Sequence, residues 1–284
     1  MKETIGVVGQ GFVGSAVKEG MQQYFEVLAY DKDPNKFSNV DGISDIVTKA
    51  EVIFVCVPTP MQKSGECDLS ILRTVVADID TKCALEGVKR IVVIKSTIPP
   101  GTTEQMDAEF KHVHITFNPE FLTESNAVED YKNQNRIIIG GDRPWTSRVK
   151  QIFSKAFPTI PIIKTSATIA ETIKYVTNTF LTVKVSYANE IYQFCQGLGI
   201  DYDKVIEYAR YDTRLGNSHW SVPGPDGDFG YGGHCFPKDI AALQYVMQSM
   251  NLDTTMLSAT IHKNNNIRTN LDWTKQIGRA ISEN

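Results

Sequence analysis

Cys235 stands in the stretch Phe229-Gly230-Tyr231-Gly232-Gly233-His234-Cys235-Phe236-Pro237-Lys238-Asp239, at the apex of a glycine-rich turn with a lysine and a carboxylate just beyond it. Glycines let a backbone approach a ligand closely and adopt conformations closed to other residues. Pro237 fixes the exit from the turn, and Asp239 is positioned to cap a helix starting near Ile240. A thiol beside a helix start and a lysine is driven toward the thiolate, the form that attacks carbonyls. Taken alone, the pattern also suits a tight turn around a buried cysteine, so the rest of the chain has to decide.

Two further segments space polar groups in ways that chemistry could use. Asn118-Pro119-Glu120-Phe121-Leu122-Thr123-Glu124 follows a buried-strand pattern and holds two carboxylates four residues apart. Turned helically, it would put Glu120 and Glu124 on one face, able to orient a water or take a proton. A solvated loop with two surface glutamates fits the same residues. Lys174 and Asn178 are also four apart, amid Ile169, Ile173, Val176, Phe180 and Leu181. Both donate, so together they could hold a developing oxyanion, or simply form the polar side of an amphipathic helix. Lys95-Ser96-Thr97-Ile98-Pro99-Pro100-Gly101-Thr102 and Val57-Pro58-Thr59-Pro60 each leave a strand pattern. Hydroxyls at the carboxyl ends of parallel strands sit at the ligand crevice, although both segments also read as ordinary proline-rich turns.

Gly9-Gln10-Gly11-Phe12-Val13-Gly14 directly follows a strand pattern and opens a helical one. That context is the one a dinucleotide fingerprint requires. The first glycine makes the turn, the second admits the pyrophosphate, and the third lets helix and strand pack closely. The helix start offers N–H groups and a positive dipole end to phosphates. Asp31 ends the second strand pattern, where a carboxylate accepts ribose hydroxyls and repels a 2′-phosphate. The pattern favours NAD over NADP.

The elements that must position these residues change character along the chain. Strand patterns at 4–8, 27–30, 52–57, 91–94, 114–117, 136–139 and 160–164 alternate with helical stretches such as 12–24, 69–84, 102–110 and 146–156. Several strands are near-continuous apolar runs, as strands buried on both faces are. The alternation predicts an α/β fold with a doubly wound parallel sheet. After Lys164 the patterns are helical. Thr168 and Glu171 predict a capping box opening one long helix that runs to Gly197-Leu198-Gly199. A helix at 202–209, a glycine- and proline-rich loop at 213–237 and helices at 240–250 and 254–267 follow, with a polar tail after Trp273 that is expected to fray.

The 284 residues carry a net charge of −4 and are 42% hydrophobic and 22% charged, enough for two domains. Mild acidity gives no reason to expect a nucleic-acid partner, and no apolar run is long enough to predict a membrane span. The cysteines Cys56, Cys67, Cys83, Cys195 and Cys235 show no paired spacing, no CxxC occurs and no two histidines make HxxxH. No disulfide framework and no metal site are expected, and the composition suits a reducing, cytoplasmic setting.

Together the segments GQGFVG, CVPTP followed by DLS, KSTIPPGT, NPEFLTE with AVEDY and RIIIG, KYVTN, DTRLG and FGYGGHCFPKD resemble the UDP-glucose/GDP-mannose dehydrogenase family, in that family's order and nearly to Arg268. The resemblance implies a Rossmann-type NAD-binding domain over 1–165, an all-α central and dimerisation domain over 166–273 carrying the cysteine, and a tail at 274–284. It also implies four-electron oxidation of a sugar CH2OH, UDP-glucose being the commonest family substrate, with two NAD used in succession. By that resemblance, Asp239 and a water near Lys174 take the hydroxyl proton. Cys235 forms a thiohemiacetal, Lys174 and Asn178 stabilise its oxyanion, and Glu120 or Glu124, with Thr97, aligns the hydrolytic water. Gly9, Gly11, Phe12, Val13, Gly14, Asp31, Pro58, Thr59 and Thr97 would then bind the cofactor. Glu120, Phe121, Leu122, Lys174, Asn178, Gly232 and Arg214, the last reaching a neighbouring subunit, would bind the nucleotide sugar, with a homodimer formed through the long helix. Family members usually continue into a third, nucleotide-capping domain, and this chain is expected to be a short form without it. Thr123 replaces a common arginine, and His234 a smaller residue.

Two other readings compete. A two-domain β-hydroxyacid dehydrogenase shares the plan and the Lys174/Asn178 pair but performs one hydride transfer and needs no cysteine. A non-catalytic nucleotide-binding remnant would keep the fingerprint alone.

Overall fold

The computed structural model describes residues 2–283. Its contacts divide these into two units: the residues up to Thr59 with Leu69–Lys174, and Pro60–Asp68 with the residues from Tyr175 onward.

The first unit is built on one sheet whose strands are β1 (Thr4–Val8), β2 (Glu26–Tyr30), β3 (Val52–Val55), β4 (Arg90–Ile94), β5 (Val113–Phe117), β6 (Ile137–Gly140) and β7 (Ile162–Thr165). The spatial order is β2-β1-β3-β4-β5-β6-β7. Strand residues alternate between two apolar layers, as the two-residue period of a strand requires. Val52, Phe54, Ile91 and Val93 face one layer, and Ile53, Val55, Val92 and Ile94 face the other. Residues of helices α1 (Phe12–Met21), α5 (Ala127–Lys132) and α6 (Trp145–Ala156) fill the first layer, and residues of α2 (Ile43–Lys49), α3 (Ser70–Glu86) and α4 (Thr102–Glu109) fill the second. This is the doubly wound arrangement the alternation predicts, with one correction. Strands β5 and β6 pair antiparallel, through Phe117 and Gly140, while every other pair is parallel. The two strands are joined by residues 118–136, which hold only the short α5 and a 3-10 turn, and the chain doubles back instead of crossing over. The chain switches direction across the sheet at β1, which pairs with both β2 and β3. That is the point at which such sheets bind ligands.

Helix α7 (Ala167–Leu198) contributes to both units and has nearly the predicted extent. Its predicted start signal is wrong. Glu171 does not turn back on its own helix in a capping box. Its carboxylate accepts from the Gly101 N–H (2.6 Å), the Thr103 N–H (2.8 Å) and the Thr103 hydroxyl (2.6 Å), and so caps α4. Ser166 instead serves the start of α7, its hydroxyl accepting from the Ile169 N–H at 3.3 Å. The spacing of Thr168 and Glu171 was that of a capping box, but a helix end with no cap of its own competed for the carboxylate.

The second unit also holds α8 (Tyr202–Ala209), α9 (Cys235–Ser249) and α10 (Thr255–Ile267). Asp201 caps α8, accepting from the Asp203 N–H at 2.9 Å. Ala188, Cys195, Tyr202, Ile206, Trp220 and Val222 form a separate small core. The tail expected to fray is held. The Met61 N–H donates to the Ala280 carbonyl and the Ser282 N–H to the Met61 carbonyl, both at 2.8 Å, and Ala280 is buried.

Glu171 serves three donors from an almost fully buried carboxylate. Glu171→Gln leaves a single acceptor oxygen there, and the stability lost should be about 1–2 kcal/mol at pH 7. Urea unfolding of the two proteins checks this, and equal midpoints would mean that Glu171 does not hold the start of α4.

Candidate active site

The glycine loop between β1 and α1 is shaped by contact. A Cβ at Gly14 would run into the Gly9 carbonyl oxygen, whereas one at Gly11 would meet nothing within 4 Å. Gly14 is therefore fixed by packing, and Gly11 leaves its side of the loop open to a ligand. The start of α1 has no side-chain cap and no acidic residue in its first turn, and the positive end of its dipole favours a phosphate there. The Asp31 carboxylate accepts from the Gln10 N–H at 2.6 Å and the Asp33 N–H at 2.9 Å, which pins the end of β2 to the loop. The turns after β3 and β4 are tied together. The Thr59 hydroxyl donates to the Thr97 carbonyl at 2.8 Å and the Ser96 hydroxyl to the Val57 carbonyl at 2.5 Å. An open glycine, an uncapped helix start and a carboxylate at the end of β2 fit a dinucleotide.

The segment after β5 is irregular, not helical, so Glu120 and Glu124 do not share a helix face. Glu120 is buried and Glu124 lies at the surface, opening a 3-10 turn. Pro119 accounts for this locally, because it disfavours helix at Asn118 and offers no N–H of its own. The Lys174 ammonium donates to both the Glu120 carbonyl (2.6 Å) and its carboxylate (2.8 Å), and the Leu122 N–H donates to the same carboxylate. Burial resists ionisation of Glu120, but the Lys174 charge and these bonds hold its carboxyl below the usual range. Lys95, also buried, donates to the Asn118 side chain at 2.6 Å, and Asn118 in turn donates to the Ile138 carbonyl of β6. Burial pushes the Lys95 ammonium down to about 8, against the pull of Cys56 and Glu120. A cavity of about 320 Å³ opens here, with Lys95, Glu120, Phe121, Leu122, Tyr131 and Arg136 among its walls.

In the second unit, α9 begins at Cys235 itself, five residues before the expected start near Ile240. Asp239 is therefore not a cap but lies inside the helix. One of its oxygens accepts from Lys238 and the other from Asn178, both at 2.6 Å, and Asp239 is only 1% exposed. Cys235 occupies the first helical position behind His234, at the positive end of the α9 dipole. Burial opposes the Lys238 charge, but Asp239, Cys235 and Cys67 hold its ammonium above the usual range.

Two models of one family match successive parts of the chain: the NAD binding domain of the UDP-glucose/GDP-mannose dehydrogenase family over residues 36–157, and that family's central domain over 168–266. The chain belongs to the UDP-glucose/GDP-mannose dehydrogenase family. Among its curated relatives, GDP-mannose 6-dehydrogenase of Pseudomonas aeruginosa is 31% identical over 84% of this chain and 56% of its own length. UDP-glucose 6-dehydrogenase of Rhizobium meliloti is 31% identical over 89% of this chain and 60% of its own. The chain thus spans little more than half the length of these relatives. A solved UDP-glucose dehydrogenase from Pyrobaculum islandicum superposes with a TM-score of 0.83 at 27% identity, covering 94% of this chain and 68% of that one.

The residues that build the family's cysteine turn include several that sequence reasoning passed over. Arg268 reaches the turn from the end of α10. Its guanidinium pairs with Asp226 (2.5 Å) and Asp272 (3.0 Å) and donates to the Phe229 carbonyl. A Cβ at Gly232 would strike that guanidinium, so this glycine makes room for the strut. Gly233, at φ +71°, takes a left-handed conformation and donates its N–H to Asp272 at 2.9 Å. Asn264 brackets Tyr231, accepting from its N–H at 2.7 Å and donating to its carbonyl at 3.0 Å. Nothing in the spacing of Asn264, Arg268 and Asp272 marks them except their place after the cysteine motif. Arg214 stands at the surface, paired with Asp212.

Lys174→Met leaves the Glu120 carboxylate buried without its cation. Removing one partner of a buried pair should cost about 3–5 kcal/mol. Adding Glu120→Leu to the same protein should recover most of that loss. Unfolding curves of the single and double variants measure the coupling, and a double variant no more stable than the single would show that the pair is not what is lost.

Proposed function

We propose that the protein oxidises the C6 hydroxymethyl group of a nucleotide sugar to the carboxylate, UDP-glucose to UDP-glucuronate, with NAD as acceptor. The observation that carries this reading is Cys235 at the first position of α9, with Lys238 and Asp239 within the next turn. A dehydrogenase that stops at the carbonyl has no need of a thiol there. Family membership and the UDP-glucose 6-dehydrogenase relatives support the substrate.

NAD, when bound by the glycine loop and Asp31, takes up the two electrons of each oxidation. The chain's own residues handle protons and the carbon–sulfur bond. Asp239, acting through a water, receives the alcohol proton. The Cys235 thiolate bonds to the aldehyde carbon, and the Lys174 and Asn178 donors stabilise the oxyanion of the thiohemiacetal. After the second oxidation a thioester remains. Glu120, buried and ionised, draws a proton from water, which adds to the thioester carbon and displaces the thiolate. Glu120 suits this better than the surface residue Glu124, and Thr97 is a further partner for the water. The balance is one alcohol, one water and two NAD in, and one carboxylate, two NADH and three protons out. Holding the aldehyde on sulfur keeps it from escaping between the two steps. The setting in this reading is cytoplasmic, in keeping with five thiols and no helix among the described residues long and apolar enough to cross a membrane.

The partner in this reading is a second copy of the chain. Phe180, Tyr187 and Phe194 recur every seven residues along α7 at 65%, 56% and 62% exposure, with Val176 and Leu198 beside them. A heptad apolar stripe this open is what helix pairing buries. Light scattering should give twice the chain mass, falling to one chain for the Phe180→Asp/Phe194→Asp variant; a wild-type monomer would sink the pairing.

Two NADH should appear for each UDP-glucose consumed, and Cys235→Ser should release at most one before an aldehyde or trapped species accumulates. A screen with UDP-glucose, UDP-GlcNAc, UDP-ManNAc and GDP-mannose reads the substrate. One NADH with a stable carbonyl product, or full turnover by Cys235→Ser, would overturn the thioester route.

A further inference from the structure

The cavity beyond β5 is lined by residues of the first unit alone and runs from the surface to a group that the proposed chemistry uses. Asn133 and Asn135 stand exposed at its rim, while Lys95, Glu120 and Tyr131, at 2%, 7% and 2% exposure, form its deep end. Two donors at that end lack a full set of protein partners. The Tyr131 hydroxyl is buried and bonds to nothing among the described residues. The ring cannot carry it elsewhere, because it lies so close against Gly20 of α1 that a Cβ there would strike it. The Lys95 ammonium has three N–H groups, and among the described residues only Asn118 accepts from it, through its side chain (2.6 Å) and its carbonyl (3.2 Å). It stands 5.8 Å from the centre of the Tyr131 ring. The walls are fixed as well. The Gln134 side chain donates to the Tyr131 carbonyl at 3.0 Å, the Asn133 side chain to the Glu129 carbonyl at 2.9 Å, and the Thr123 N–H to the Asp130 carboxylate at 2.7 Å. A buried hydroxyl without a protein partner is costly, and a polar cavity supplies the partner as water. At about 320 Å³ there is room for several molecules, each taking about 30 Å³.

We propose that this cavity is a water conduit, which brings the hydrolytic water to Glu120 and takes away the proton that Glu120 receives, with Tyr131 and Lys95 as positioning residues for the water. The proposal rests on the reading of the protein as a dehydrogenase that forms a thioester. When water is needed in that reading, the sugar carbon is bound to sulfur and the second NADH has just formed. A supply that passes neither of them lets the attack follow without either leaving. The water oxygen bonds to the thioester carbon, the carbon–sulfur bond breaks, and its electron pair leaves with the thiolate. The water proton goes to the Glu120 carboxylate, then to water in the cavity and out to solvent. No oxidant or reductant is consumed, and Glu120 is ionised again for the next turn. The two positioning groups divide the work by their chemistry. An ammonium only donates, so Lys95 draws the lone pairs of its water toward itself and leaves the protons for Glu120. A phenol hydroxyl donates and accepts, so Tyr131 passes a hydrogen bond along the row.

The test is stopped-flow NADH formation by the whole chain, with NAD and the nucleotide sugar that the screen identifies, followed by the intact mass of the acid-quenched protein. Two variants are compared with wild type: Tyr131→Phe, which removes only the hydroxyl, and Asn135→Trp, which narrows the rim. In both, the first two NADH per site should form at the wild-type rate. Steady-state turnover should then fall several-fold, while an acyl adduct of the nucleotide sugar on Cys235 builds up to a larger fraction of the protein than in wild type. A loss of packing alone would slow the first two NADH as well. Turnover at the wild-type rate in either variant overturns the conduit, and so does an initial phase that falls in step with turnover. Should Asn135→Trp not fold, Tyr131→Phe decides by itself. A wild type that forms no NADH from any of the four nucleotide sugars overturns the thioester reading and the conduit with it. Two NADH per sugar from the wild type, beside variants that are not slowed, overturns the conduit alone.

Discussion

In the proposed chemistry Cys235 acts from a helix start, and a buried arginine braces the turn before it. The preceding turn is rich in glycine, with Tyr231 buried beside Phe236. The side chain of Arg268 is 1% exposed and ties Asp226 and the Phe229 carbonyl of one loop to Asp272, so two stretches of the second unit meet on one guanidinium. Its planar fork can serve several acceptors at fixed angles, which a lysine could not do. Asp272 then passes the constraint to the Gly233 N–H, two residues ahead of the thiol. The glycines of the motif have a structural explanation in this strut: Gly232 leaves room for it and Gly233 bends onto it.

Several charges among the described residues are buried in company. Lys174 holds Glu120, Lys238 holds Asp239, and Lys95 is held by Asn118. Such pairs add little to stability compared with apolar packing, since desolvation offsets much of the attraction. What they fix is position. The Asp239 carboxylate is gripped at both oxygens by Lys238 and Asn178, and neither oxygen can swing away. A group meant to exchange protons at one place gains from being held in this way.

Much of the fold was legible because its strands are short, apolar and buried on both faces, and because the glycine loop follows the first of them directly. The long helix and α8 were read nearly to the residue for similar reasons of periodicity. The errors lie where a polar side chain had more than one partner to choose from. Glu171 had the spacing of a capping box and caps another helix. Asp239 had the place of a cap and was drawn inside by Lys238 and Asn178. Glu120 and Glu124 had helical spacing, but Pro119 kept the segment out of a helix, and Glu120 pairs with a buried cation while Glu124 lies at the surface. The antiparallel β5–β6 pair escaped for another reason: residues 118–136 offer turn and short-helix signals whose direction no local pattern encodes.

The hairpin at 61–67 interrupts the first unit in sequence yet belongs to the second in space, and residues 280–282 hold its base. The Asp68–Ser282 bond spans 214 positions. During synthesis this short ribbon leaves the ribosome early, while its neighbours in sequence can already close into a sheet, and it must wait for nearly the whole remaining chain before its own contacts exist. Contacts so far apart in sequence form late, after a large loss of chain entropy. The bedding of the hairpin, and with it the surroundings of Cys67, is thus among the last events in the making of the protein.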